Sequence, residues 1–412
     1  MTLERMNGVD LGGMQVADLS GFCALLAFLY ACTTALFKLL ISKDGDMGDG
    51  RVLKQCTAGG VMLIVNSCLK DFLRNNQAFG EVFFGIMACM AIMSMLATYY
   101  RFVRGKEPEK VDMTGKVVII TGSSGGIGVE AAKSIVRMGA HVILACRSEK
   151  KANAAMETIT KALEAEHAQI KTNTGPEVKG KMTFLPIELG SLASVRAFVE
   201  KFRALKLGLD VLVLNAGVIT NKLEMTEDGF EKTFAVNHLG HFALTNLLLP
   251  AMSKSKDPRV VVVTSSYHKD VRELRLDDLN CELGYNQRKA YRVSKLANVM
   301  HAIQLQRRLL AQKPKSKIAV NAVHPGVVMT EITQNLPWLL QKAYAAVRPL
   351  AAIYMKQPEH GAYSVVFAAC SEKIRTADPP IIGQYIVESL PQDYNPLAKN
   401  PEALESFWDA SE

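Results

Sequence analysis

From Met113 onward, short apolar runs alternate with amphipathic stretches along the chain. The runs are rich in Val and Ile and are bounded by Gly, Ser, Asn or Pro, which is typical of buried strands. The stretches between them carry apolar residues at helical spacing. This alternation predicts an α/β domain built on a doubly wound parallel sheet of about seven strands. The predicted strands are 117–121, 141–146, 182–187, 210–214, 259–264, 317–323 and 383–387. The polar segment 166–181 is predicted to form an exposed loop before the third strand.

Long apolar segments precede this domain. Residues 19–41 and 82–100 are each long enough, at about 1.5 Å per helical residue, to approach the roughly 30 Å thickness of a bilayer core. Residues 58–69 are apolar but shorter, so two spans and three spans both stay open. We expect transmembrane helices, with a buried helical hairpin of a soluble protein as the alternative. The predicted organisation is a membrane-anchoring region at 1–104, a linker at 105–112 and a catalytic domain at 113–412.

The border of the last apolar segment indicates its orientation. Tyr99 and Tyr100 are followed by Arg101 and Arg104, an aromatic-then-basic order that is typical of a cytoplasmic interface. We therefore expect an integral membrane protein whose catalytic domain faces the cytosol. The pattern does not identify the organelle.

Composition narrows the classes of partner. The net charge of +8 suits a phosphorylated cofactor or an anionic membrane surface, and a solvated basic face explains it equally well. Basic and aromatic residues are not interleaved, so nucleic acid is not expected. The eight cysteines show no C-x-x-C spacing and the histidines no metal-ligand spacing, which argues against a disulfide framework or a metal site.

A glycine-rich turn follows the first predicted strand. The sequence from Lys116 reads K-V-V-I-I-T-G-S-S-G-G-I-G and leads into an amphipathic helix predicted at 126–138. Strand, glycine turn and helix together form a cradle in which a pyrophosphate can lie against the helix N-terminus. The spacing T-G-x-x-x-G-x-G differs by one residue from the usual dinucleotide fingerprint. The turn residues expected to contact the cofactor are Thr121, Gly122, Ser123, Ser124, Gly126, Ile127 and Gly128.

Further motifs follow in a fixed order. They are Asn215-Ala216-Gly217, Ser265-Ser266, Tyr291-x-x-x-Lys295 and Pro325-Gly326. With the glycine turn, this set resembles the short-chain dehydrogenase/reductase family from about Met113 to the C-terminus, and most of all its retinol-dehydrogenase-like branch. The resemblance implies a Rossmann-type fold, a nicotinamide cofactor and hydride transfer. The hydrophobic N-terminal region lies outside the shared pattern.

The end of the second strand bears on the choice of cofactor. NAD-preferring folds place Asp or Glu there to bind the ribose 2′-hydroxyl, whereas this chain has Arg147. A guanidinium favours a 2′-phosphate, so we expect NADP(H), with a plain surface arginine as the alternative. The resemblance implies further cofactor contacts from Glu188, Leu189, Asn215, Ala216, Gly217, Pro325, Gly326, Val328 and Thr330, and from Tyr291 and Lys295.

The catalytic candidates centre on one predicted helix at 287–310. Tyr291 and Lys295 are four residues apart and so project from the same face. A nearby ammonium favours the phenolate, so we expect Lys295 to lower the pKa of Tyr291 and make it a general acid or base. By the resemblance, one of Ser265 and Ser266 polarises the substrate oxygen. We select Ser266, and Asn237 resembles the asparagine that supports the proton relay.

These features predict a membrane-anchored NADP(H)-dependent oxidoreductase that interconverts a lipophilic alcohol and its aldehyde or ketone. An apolar segment at 336–355 is expected to cover the substrate, with an ordinary pair of core-packing helices as the alternative. A homodimer stays open. The alternatives are a nicotinamide-sensing membrane scaffold with little turnover and an epimerase or dehydratase of the same superfamily.

Overall fold

The computed structural model describes residues 107–169, 180–312, 316–326, 328 and 356–412, together with Met90, Ala91 and Ser94. Apart from those three single positions, the membrane segments predicted before residue 105 lie outside the described residues. The predicted substrate-covering segment also lies outside them. Within the described ranges, no helix is both long enough and apolar enough to cross a bilayer.

The apolar runs form one sheet of eight strands, in the order β3-β2-β1-β4-β5-β6-β7-β8. Strands β1 to β7 are parallel to their neighbours, and only β8 runs antiparallel, beside β7. The strands are β1 Val117–Thr121, β2 His141–Cys146, β3 Lys181–Pro186, β4 Val211–Leu214, β5 Arg259–Val263, β6 Ala319–His324, β7 Tyr385–Val387 and β8 Leu390–Gln392.

The amphipathic stretches form the helices that connect these strands. A π-helical turn, Ala235–Leu239, joins α4 to α5, and short 3-10 helices follow β5 and precede the last helix. The α-helices are α1 Gly126–Arg137, α2 Glu149–Gln169, α3 Leu192–Ala204, α4 Lys232–Phe234, α5 Gly240–Met252, α6 Gln287–Gln312, α7 Pro358–Cys370, α8 Lys373–Thr376 and α9 Pro401–Asp409.

Helices cover both faces of the sheet, and this is why every residue of its central strands β1, β4, β5 and β6 is buried. In β1, all five residues are buried, and successive side chains point to opposite faces. Val117 and Ile119 pack into the core beneath α3, α5, α6 and α9, whereas Val118 and Ile120 pack into the core beneath α1, α2 and α7.

The order of the strands reverses beside β1, which lies between β2 and β4. The connections that leave β1 and β4 at their carboxyl ends therefore diverge and leave a crevice between them, where open α/β sheets bind their ligands. The glycine turn follows β1 and the Asn215-Ala216-Gly217 turn follows β4. The fold thus brings two of the predicted cofactor motifs to one crevice.

The parallel Rossmann-type sheet is confirmed, and two details of the prediction are wrong. The sheet has an eighth strand, β8, which was missed because its three residues, Leu-Pro-Gln, are exposed and show no apolar alternation. Helix α2 continues to Gln169, although the sequence predicted an exposed loop from Glu166. Ala, Glu and Gln are good helix formers, so the helix extends into this polar stretch.

Candidate active site

The glycine turn is packed tightly against the turn after β4. Gly122 has a φ of +67°, and a Cβ there would lie 2.8 Å from the Cα of Ala216. A Cβ at Gly128 would lie 2.4 Å from the carbonyl oxygen of Gly122. Only glycine fits both positions, and helix α1 can therefore begin directly against the turn. Its first N–H groups, which have no partner within the helix, border the crevice.

Hydroxyl side chains hold this turn in place. The buried Thr121 Oγ1 accepts hydrogen bonds from the N–H groups of Asn215, at 2.8 Å, and Ala216, at 3.0 Å. The Ser123 hydroxyl donates to the carbonyl of Ile120 at 2.9 Å, and Ser124 hydrogen-bonds to the Cys146 thiol. The predicted cofactor residues at these positions therefore support the turn through their side chains.

The structure brings Arg147 and Glu188 together at the ends of β2 and β3. The Arg147 guanidinium lies 3.3 Å from a carboxylate oxygen of Glu188, and 76% of the Arg147 side chain is exposed. The neighbouring Leu189 is buried, and Gly190 N–H donates to Glu188. A cation with this exposure beside the crevice is available to a 2′-phosphate, and Glu188 offers a carboxylate beside it.

Tyr291 and Lys295 lie on one face of α6, as predicted. The Lys295 ammonium is 5.5 Å from the centre of the Tyr291 ring, and its Nζ donates to the carbonyl of Val263 at 3.5 Å. A Cβ at Gly217 would lie 3.3 Å from this Nζ, so the turn after β4 also borders the lysine. Lys295 is only 4% exposed, and burial lowers its pKa to about 8.

The expectation that the pKa of Tyr291 lies below its ordinary value is wrong for this structure. Burial raises the pKa of Tyr291 to about 12, and a hydrogen bond from Ser265 opposes that rise without cancelling it. The removal of the phenol from water outweighs the effect of its neighbours. Tyr291 is therefore held protonated at neutral pH, the form that can donate a proton.

Of the two adjacent serines, Ser265 contacts the tyrosine, and the choice of Ser266 as the catalytic serine stays a prediction. The Ser265 side chain hydrogen-bonds to Tyr291, whereas Ser266 is exposed and begins the 3-10 helix Ser266–Asp270. Strand β5 ends at Val263, so Thr264 occupies the first position after the strand and Ser265 the second. Two adjacent serines look alike in the sequence, and only the path of the backbone after β5 distinguishes them.

Asn237 lies in the π-helical turn and connects several parts of the site. Its amide oxygen accepts from the N–H of Val218 at 2.7 Å. Its amide nitrogen donates to the carbonyl of Val218 and to the Ser294 hydroxyl, both at 3.0 Å. Ser294 precedes Lys295 on α6, so Asn237 fixes the catalytic helix relative to the turn after β4. Ser294 lies inside the Tyr291–Lys295 motif but was not among the predicted site residues.

The remaining predicted contacts lie near the end of β6. Pro325 and Gly326 follow that strand directly, and Val328 pairs with Lys356 in a single parallel bridge. Val328 and Ile127 both border Gly361, where a Cβ would lie 2.5 Å from Val328 and 3.3 Å from Ile127. Thr330 lies outside the described residues, and its contact with the nicotinamide stays a prediction.

Taken together, the crevice suits a dinucleotide. Glycine at Gly122 and Gly128 leaves room for close approach to the backbone, and the N-terminus of α1 offers N–H donors to a pyrophosphate. In the described ranges, no three His, Cys, Asp or Glu side chains are grouped closely enough to hold a metal ion. The side chains that lie beside the nucleotide cradle are those of Ser265, Tyr291 and Lys295.

Comparison with known proteins gives concordant results. Residues 116–338 match the family model described as short chain dehydrogenase. Human retinol dehydrogenase 14 is 35% identical over 314 residues, which cover 76% of this chain and 89% of that protein. Polyprenol dehydrogenase of Danio rerio is 35% identical over 308 residues, which cover 74% of this chain and 88% of that protein.

A solved structure also matches the fold. The crystal structure of an uncharacterised protein from Mycobacterium paratuberculosis is similar to this chain with a TM-score of 0.55 and 30% identity, covering 74% of this chain and 94% of that one. The match to the family model extends over more than half of the sequence, through the glycine turn, the serine pair and the Tyr291–Lys295 helix. This chain therefore belongs to the short-chain dehydrogenase family of oxidoreductases.

Proposed function

We propose that the protein is a membrane-anchored, NADP(H)-dependent oxidoreductase that interconverts a lipophilic alcohol and its aldehyde or ketone, with its catalytic domain facing the cytosol. The observation that carries the proposal is the placement of Ser265, Tyr291 and Lys295 beside the glycine cradle. Hydride transfer to a carbonyl requires a proton donor and a group that polarises the oxygen, and these side chains supply both.

The roles of the residues follow from their contacts. When bound, the nicotinamide supplies or accepts the hydride. Ser265 donates a hydrogen bond to the substrate oxygen, and Tyr291 delivers its proton to that oxygen during reduction or accepts it during oxidation. The positive charge of Lys295 stabilises the phenolate that remains after reduction. Asn237 keeps Ser294 and the lysine in register through its amide.

Three observations support a lipophilic substrate. The relatives are named for retinol and polyprenol, which are hydrophobic alcohols. Tyr267 is 52% exposed, and its ring centre lies 6.0 Å from that of Tyr291, so an apolar surface is available beside the reacting atoms. The apolar N-terminal segments would keep the domain at a bilayer, where such substrates concentrate.

The test of this function is NADPH consumption by purified full-length protein in detergent. We expect faster turnover of farnesal, an isoprenoid aldehyde, than of glyceraldehyde, because each buried methylene contributes about 0.8 kcal/mol. Tyr291→Phe should bind NADPH and lose about 10²- to 10⁴-fold in turnover. Equal kcat/KM for the two aldehydes would contradict the substrate class. Unchanged turnover in the Phe variant would remove Tyr291 from the mechanism.

The preference for NADPH has its own test at Arg147. Arg147→Asp replaces a phosphate partner by a like charge, so the Kd of NADPH should rise by about 10- to 100-fold while NADH binding is retained. The control is Arg196→Asp, which changes the same charge at an exposed position on α3. Fluorescence titration of both nucleotides measures the effect. Wild-type protein that binds NADH as tightly as NADPH would refute the preference.

A further inference from the structure

His241 is a buried residue that the reaction described above does not use. It lies in the first turn of α5, four residues after Asn237, and is 0% exposed. The sequence offered no role for it beyond packing. Its two ring nitrogens nevertheless contact two different segments of the active site, and these contacts define its chemical state.

The first contact fixes the position of the proton on the ring. Nδ1 lies 3.0 Å from the main-chain oxygen of Asn237, and a carbonyl oxygen can only accept a hydrogen bond. Nδ1 must therefore carry hydrogen. Burial lowers the pKa of His241 to about 4, so the ring is neutral near pH 7 and Nε2 has a free lone pair.

The second contact completes the bonding of Thr121. Nε2 lies 2.8 Å from Thr121 Oγ1, and this hydroxyl already accepts from the N–H groups of Asn215 and Ala216. A hydroxyl has one hydrogen and two acceptor lone pairs. The Val213 carbonyl is a second acceptor for that hydrogen but lies farther away, at 3.4 Å, so the hydroxyl donates to Nε2 and is fully bonded. In the Nε2–H tautomer, Thr121 Oγ1 would face a third donor, and the unprotonated Nδ1 would lie beside the Asn237 carbonyl oxygen, where the two acceptors repel each other.

The two ring nitrogens contact two residues that support different parts of the site. Thr121 holds the glycine turn against the turn after β4, and Asn237 holds α6 through Ser294. We propose that His241 is a positioning residue, a neutral Nδ1–H imidazole whose bridge from Thr121 to Asn237 sets the cofactor turn in register with the catalytic helix. Only the turnover part of its test rests on the proposed function.

The tautomer is measured without any substrate. Full-length protein labelled with ¹⁵N-histidine in detergent micelles gives two ring-nitrogen signals for His241, assigned by their loss in His241→Gln. We expect a protonated Nδ1 and an unprotonated Nε2 at pH 7. An Nε2–H tautomer or an imidazolium at that pH would overturn the proposal.

Three variants then separate the contributions of the Nδ1 and Nε2 contacts. His241→Asn keeps an N–H near the position of Nδ1, His241→Gln keeps a polar group near Nε2, and His241→Phe removes both contacts. We expect kcat for farnesal with NADPH to fall about a hundredfold in the Phe variant, the size of effect that follows from a misplacement of about 1 Å. The Asn and Gln variants should fall between, and the Kd of NADPH should change far less than kcat.

A matched control is His301→Phe. His301 is also buried, and neither of its ring nitrogens has a hydrogen-bond partner among the described residues. We expect wild-type kcat in this control, and an equal loss in both Phe variants would assign the effect to packing and overturn the bridge. So would wild-type kcat in His241→Phe. If the wild-type protein does not reduce farnesal, the proposed substrate class fails, and the ¹⁵N measurement still tests the neutral Nδ1–H state that the bridge requires.

Discussion

At the scale of the residue, burial decides the charge of Lys295. The ammonium has little contact with water, and its recorded hydrogen bond is a long one, at 3.5 Å to the Val263 carbonyl. Its pKa of about 8 is well below the ordinary value of 10.5. At about pH 8, which lies within the range used for assays, half of the molecules therefore carry an uncharged Lys295. Catalysis and stability both depend on this charge.

This pKa predicts how stability changes with pH. Between pH 8 and about 10.5, the folded protein has released the Lys295 proton and the unfolded chain still holds it, so the unfolded state binds more protons and stability rises with pH. Lys295→Met lacks this contribution. Thermal unfolding of both proteins at pH 7.5 and 9.5 should show a larger gain, or a smaller loss, for the wild type. Parallel changes would show that Lys295 is not perturbed.

The serine pair offers a second prediction. Ser265→Ala should lower kcat by about 10²-fold, the usual effect of removing one donor to a developing oxyanion. Ser266→Ala should leave kcat near the wild-type value, because the Ser266 side chain is exposed at the start of a 3-10 helix. Steady-state kinetics with farnesal and NADPH measures both. A loss confined to the Ser266 variant would restore the choice made from the sequence.

At the scale of the element, the contact of α1 with the glycine turn leaves no room for a side chain at Gly128. Gly128→Ala would place a Cβ 2.4 Å from the Gly122 oxygen and 2.7 Å from the Asn215 amide, so the helix must shift away from the cradle. We expect weaker NADPH binding and a lower thermal midpoint. Gly208→Ala is the control, because a Cβ there meets nothing within 4 Å. Equal affinity in the two variants would show that the cradle tolerates the shift.

Periodicity was sufficient to predict most of the elements. The buried runs of β1, β2 and β5 and the Tyr291–Lys295 spacing on α6 each depend on local pattern, and all were found. Ser265, Ser294 and His241 depend on which distant segments pack together, and a sequence without its fold does not show that. The perturbed pKa of Tyr291 likewise depends on burial, which is a property of the assembled site.

At the scale of the whole molecule, the membrane anchor remains a prediction from residues outside the described ranges. The first strand of the catalytic domain begins at Val117, so deletion of residues 1–104 should leave a domain that binds NADPH. Full-length protein should stay in carbonate-washed membranes, and the shortened chain should not. Recovery of the full-length chain in the soluble fraction would contradict the anchor.

The outermost strands of the sheet, β3 and β8, each contain a proline, Pro186 and Pro391. Proline has no N–H to donate, so it fits in a ladder only where the missing donor faces outward. Within the described part of the chain, each edge of the sheet therefore lacks one of the N–H donors that another strand would need for pairing. Growth of the sheet from one copy into the next is disfavoured, which protects against edge-to-edge aggregation when many copies are crowded together.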